Sequence, residues 1–103
     1  MSAVVRLGIE AEEELANAAE WYEARHAGLG LAFLVCVEEA RARMAAAPKA
    51  QPLVPDVPDR FAVRRCRVPR FPYWLVFLEI GDEIRILAIA HVRRRPRFWR
   101  GRR

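Results

Sequence analysis

Apolar residues follow two rhythms along the chain, helical in the first half and strand-like in the second. Val4, Val5 and Leu7 form a short stretch that predicts a first strand. Ala11, Leu15, Ala18, Ala19 and Tyr22 then recur at i, i+4, i+7, i+8 and i+11, the spacing of one helix face. Glu10, Glu12, Glu13 and Glu14 open that helix, where carboxylates meet the positive end of the backbone dipole. Gly28 and Gly30 stop it and begin a second helix. There Phe33, Val37, Ala40 and Met44 repeat at helical spacing, while Glu38, Glu39, Arg41 and Arg43 take the other faces. Pro48 ends the second helix, because proline removes a donor and blocks continuation.

Residues 48–59 hold four prolines and predict a connector with no regular structure of its own. Three strands are expected beyond it. Residues 61–68 are interrupted by arginines on both faces, whereas residues 73–80 and 84–91 are almost continuously apolar. Gly81-Asp82-Glu83 joins the latter two as a hairpin turn. Runs this apolar belong in the middle of a sheet that helices cover on at least one face. Alternation along the strand sends Tyr73 and Trp74 to opposite faces, so at least one of them packs in the core. The predicted order is β-α-α-β-β-β, an α+β fold with a helical hairpin packed on a small antiparallel sheet.

Composition narrows the picture. At 103 residues and 53% hydrophobic, the chain fits one domain, residues 1–103, with enough apolar side chains for a packed core. No apolar run approaches the ~20 residues of a membrane span, and the first residues lack a leader's apolar stretch, so the expected location is the cytoplasm, away from membranes. Cys36 and Cys66 stand apart without the companions a metal site needs, and His26 and His91 supply none. No metal and no cofactor is expected, and both cysteines read as buried thiols.

Charge changes the picture more. Residues 1–59 carry 5 basic and 10 acidic side chains, whereas residues 60–103 carry 13 and 3. Seven arginines fall among the last eleven residues, a basic tail from about residue 93. Part of this excess is offset within the fold. The remainder implies an anionic partner, either nucleic acid or an acidic protein segment.

Several stretches, taken together, resemble the RelE/ParE toxins of bacterial type II toxin–antitoxin modules. They are Trp21-Tyr22-Glu23, Gly28-Leu29-Gly30-Leu31-Ala32-Phe33-Leu34, Arg70-Phe71-Pro72-Tyr73, Ile86-Leu87-Ala88-Ile89-Ala90-His91 and Arg93-Arg94-Arg95-Pro96-Arg97-Phe98-Trp99. The resemblance spans nearly the whole chain. It implies the same fold, a growth-arresting activity and a cognate antitoxin that holds the toxin in a hetero-oligomer. RelE-like members cut messenger RNA on the ribosome without a metal; ParE-like members poison DNA gyrase.

Metal-free RNA cleavage needs a base for the 2′-hydroxyl, cations for the developing phosphorane charge and an acid for the leaving oxygen. By resemblance, Arg64, Arg65 and Arg67 supply the strand cations and Arg93 the arginine after the last strand. Tyr73 stands where the next strand's arginine is expected, and Trp99, which cannot exchange a proton in the working range, replaces the C-terminal tyrosine. A rearranged site would use His91, Tyr73 and Arg93. These departures favour the ParE-like branch, a protein-binding toxin without chemistry of its own. Arg64, Arg65, Arg67, Arg94, Arg95, Arg97, Trp99 and Arg100 are then the expected target- or nucleic-acid-binding residues. The alternatives are a RelE-like ribosome-dependent endoribonuclease, or an inactive homologue or basic nucleic-acid-binding module.

Each residue also has a plainer use. His91 can bond the C-terminal segment, Phe98 and Trp99 can anchor the tail against the sheet, and the final arginines can be a solvated tail. Glu79 reads as surface.

Overall fold

The computed structural model describes residues 4–94 and 98–102. The strands are β1 (Val4–Leu7), β2 (Arg64–Arg67), β3 (Tyr73–Ile80) and β4 (Glu83–His91); the helices are α1 (Ile9–Arg25) and α2 (Leu29–Ala46). They form one four-stranded sheet of order β1-β4-β3-β2, with the helical hairpin on one face.

The hairpin corner explains why its residues are what they are. Gly28 adopts φ 91° and has no side-chain cap of its own at the start of α2. Glu23 of α1 does that work instead. Its carboxylate accepts the Gly28 N–H at 3.0 Å and the Gly30 N–H at 3.0 Å, satisfying donors that a helix start leaves open. Gly30 brings the helices close, since a β-carbon there would lie 2.6 Å from the Ala19 carbonyl oxygen.

The β3–β4 hairpin forms where expected, at the centre of the sheet. Its register contains a shift that the apolar pattern hides: Val76 faces Ala88 but Phe77 faces Ile86, leaving Leu87 as an extra residue on β4. The bulge changes which face each later residue meets. Ile84, Ile86 and Ile89 pack under the helices, whereas Leu87, Ala88 and Ala90 pack on the opposite face. His91 is thereby placed opposite Tyr73, on the helix side.

Three expectations change. The sheet is mixed rather than antiparallel, because β1 pairs parallel with β4. β2, β3 and β4 alternate in direction, so β4 runs as β2 does, and the connector returns the chain to start β2 at the same end as β1. The strand expected over residues 61–68 shrinks to Arg64–Arg67, since Asp59–Phe61 is a 3₁₀ turn and Ala62 follows at φ 50°. The proline-rich connector is also partly regular: Pro48–Ala50 is a second 3₁₀ turn, and Leu53 bridges to Arg64.

The core has two layers. Beneath the hairpin, Phe33, Met44, Leu75, Phe77, Ile84 and Ile86 are buried, and Cys36 and Cys66 lie among them as free thiols. On the other face Val63, just before β2, and Trp99 of the C-terminal segment join Val76, Leu78, Leu87 and Ala90, with Val54 and Val57 of the connector packed against them. Trp99 is 8% exposed, so the tail is anchored at this point, as its aromatic residues predict. Among the described residues no helix is long and apolar enough to cross a membrane.

Candidate functional site

The expected acid–base pair meets at one end of the β3–β4 hairpin. Tyr73 pairs with His91 across the strands, and their rings stand edge to face with centroids 5.2 Å apart. Both line a cleft of about 390 Å³ between α1 and β4, with Glu14, Asn17, Trp21, Tyr22 and Arg94. His91 Nδ1 accepts the Arg93 backbone N–H at 3.1 Å, which fixes the ring and occupies that nitrogen's lone pair. The Tyr73 phenol sits against Tyr22 and Phe33. Burial, and secondly the neighbouring Tyr22 phenol, raises its pKa above the ordinary tyrosine range; burial likewise raises Tyr22. Both therefore hold their protons at neutral pH.

The β2 arginines go elsewhere. Arg64 donates to the Gln51 carbonyl at 2.7 Å and pins the connector to the sheet edge. Arg67 donates to the carbonyls of Phe71 at 2.9 Å and Tyr73 at 3.2 Å, bracing the β2–β3 turn. Arg65 lies on the face away from the helices, its guanidinium 4.0 Å from the Trp74 ring centre. Its Nε is buried without a hydrogen-bond partner among the described residues.

Arg65 and Trp74 line a second depression of about 140 Å³ with Asp56, His91, Arg94, Phe98 and Trp99. Arg94 stacks 3.9 Å from the Phe98 ring centre, and the buried Trp99 closes the floor. Arg93 and Arg100 are exposed, whereas Arg95 and Arg97 lie outside the described residues. Of the expected cations, Arg94 alone borders both depressions. Among the described residues no three histidine, cysteine or acidic side chains group as a metal site would require.

Two residues that the sequence reading left aside organise this end of the molecule. Glu14 accepts the Ile89 N–H at 3.1 Å and Arg102 Nη1 at 2.9 Å, and lies 3.7 Å from Arg94. Arg102 Nη1 also donates to the Leu87 carbonyl at 3.2 Å. Helical spacing carries one signal for Glu14, which falls three residues after Ala11 and four before Ala18, both buried. Nothing local identifies Arg102 as its partner.

The comparisons with known proteins agree with this architecture. The sequence model of the ParE toxin of type II toxin-antitoxin system, parDE, matches residues 5–96. No curated protein matches the chain. Among solved structures, one described as a chromosomal ParDE TA system from P. aeruginosa superposes with a TM-score of 0.73 and 21% identity, covering 87% of this chain and 96% of that one. At that identity the likeness concerns the fold. The family match rests on the sequence over nearly its full length: this chain belongs to the ParE toxin family of type II toxin–antitoxin systems.

Proposed function

We propose that the chain arrests growth in the cytoplasm by binding DNA gyrase, through contact rather than catalysis, and that a cognate antitoxin neutralises it. One observation carries this reading: Trp99 and Phe98 fold onto the basic sheet face and leave only about 140 Å³ beside Arg65 and Arg94. Small-molecule pockets start at roughly 300 Å³, so a nucleotide has no seat beside Arg65 without moving the tail. The roomier cleft at Tyr73 and His91, about 390 Å³, is bordered by Arg94 alone of the expected cations. The remaining groups point the same way. Arg64 and Arg67 each direct Nη1 to backbone carbonyls, and the Tyr73 ring is packed against Tyr22 and Phe33. Metal-free cleavage needs those groups open around one phosphate.

The antitoxin is expected along the helical hairpin. Leu31, Leu34 and Val35 expose an apolar stripe on α2, and Trp21 stands exposed on α1 with the Arg25 guanidinium stacked on it. An amphipathic or extended acidic segment that folds on binding suits this reading: its apolar side chains fit the hairpin, and its acidic ones reach the basic residues of 60–103, since residues 1–59 are themselves net acidic.

The test is direct. Gyrase, ATP and plasmid DNA are incubated with the purified chain, and supercoiling and cleaved DNA are followed. Lost supercoiling with accumulation of gyrase-linked breaks is expected. Unchanged gyrase activity together with cleavage of messenger RNA on added ribosomes would transfer the function to the Tyr73–His91 cleft.

A further inference from the structure

β4 spans nine residues and β1 only four, so β1 covers β4 only as far as Ile86. Past that point the outward backbone groups of a strand edge normally need a partner or a cover. Here they receive side chains from two distant places. Glu14 of α1 takes the Ile89 N–H, and Arg102, 88 residues away, takes the Leu87 carbonyl while bonding Glu14 itself. Both side chains are 16% exposed, and Arg94 approaches Glu14 from the start of the tail. Glu14 therefore holds the C-terminal segment from both ends.

We propose that Glu14 is a positioning residue for the toxin's binding surface: with Arg102 it forms a latch that holds residues 98–102 on the sheet. The proposal rests on the reading that this segment contacts the target. Trp99 and Phe98 supply burial, but an aromatic anchor alone leaves the backbone beyond it unfixed. Arg102 sets where Arg100 stands, because its own N–H returns to the Trp99 carbonyl at 3.2 Å while its guanidinium is gripped by Glu14. Arg100 is thereby presented on a fixed turn.

A double-mutant cycle tests the latch. Glu14→Gln keeps an acceptor for the Ile89 N–H but loses the charge that draws the arginines; Arg102→Met removes the grip from the tail side. Two quantities are read for the full-length parent, both singles and the double: the rate of tryptic cleavage after Arg100, and gyrase inhibition. Each single is expected to accelerate cleavage roughly tenfold and to weaken inhibition comparably, and the double is expected to add little, as for residues acting as one unit. Thermal melting separates this from general damage, since Glu14→Gln should keep the parent's cooperative unfolding. Parental cleavage rates in both singles, or effects that simply add, would overturn the latch. If the parent itself leaves gyrase untouched, the gyrase reading fails, yet the proteolysis cycle still reports whether the latch exists.

Discussion

Gly30→Ala is the substitution that examines the hairpin most severely. In an open helix interior, alanine stabilises by about 1 kcal/mol over glycine. At Gly30 the added β-carbon would sit 2.6 Å from the Ala19 carbonyl oxygen, 3.0 Å from the Glu23 β-carbon and 3.1 Å from its Oε1. The nearest obstacle is backbone, so α1 and α2 must separate by several tenths of an ångström. Overpacking of this kind costs about 1–3 kcal/mol. Separation also stretches the two hydrogen bonds from Gly28 and Gly30 to Glu23, which as charge-assisted bonds contribute roughly 1.5–3 kcal/mol together at this partly exposed corner. Against the propensity gain, the net loss is about 1–3 kcal/mol, a fall in Tm of roughly 5–20 °C for a domain of this size. Thermal and urea unfolding followed by circular dichroism measure it. Ala42→Gly, on the exposed face of the same helix, calibrates the propensity contribution at about 1 kcal/mol. A Gly30→Ala protein that melts at or above the parent would refute the argument from close approach.

Other consequences can be checked in the same preparations. The chain has 2 tyrosines, so alkaline absorbance titration reports only Tyr22 and Tyr73, and both should ionise above the ordinary range near pH 10. Because their folded pKa values are raised, the stability they confer is complete below about pH 10 and is lost as pH rises through the folded values; Tyr22→Phe should flatten that alkaline decline. Truncation after Pro96 removes the buried Trp99 and should abolish toxicity, and Trp99→Ala should cost about 3–5 kcal/mol in urea unfolding. His91→Gln and Tyr73→Phe should leave toxicity intact if these residues are structural, which growth curves after induction will decide. Antitoxin affinity measured from low to high ionic strength should fall, given the +5 chain and a Debye length of ~10 Å at 0.1 M; an unchanged affinity would remove the arginines as its driver.

Much of the fold is legible because it rests on local periodicity. The faces of α1 and α2, the apolar β3 and β4 and the hairpin between them follow from spacing alone, and Trp99 declares itself as an anchor by type and position. What escapes depends on register and on distant partners. The Leu87 bulge is invisible in an unbroken apolar run, yet it decides that His91 shares a sheet face with Tyr73 rather than with Trp74. The parallel pairing of β1 depends on how the connector returns the chain. The arginines are the hardest case. Sequence marks a basic surface, but three uses coexist within β2 alone: Arg64 ties the connector, Arg67 braces a turn and Arg65 stacks on Trp74. Glu14 reads as one more acid at a helix start, whereas its partners Ile89 and Arg102 lie at the far end of the chain.

The measurement that bears most directly on the account is pulse-labelling of DNA and protein synthesis in a bacterial host in the minutes after this chain is induced alone. A contact poison of gyrase predicts an early fall in DNA synthesis while translation continues. An early fall in translation with DNA synthesis intact would contradict it.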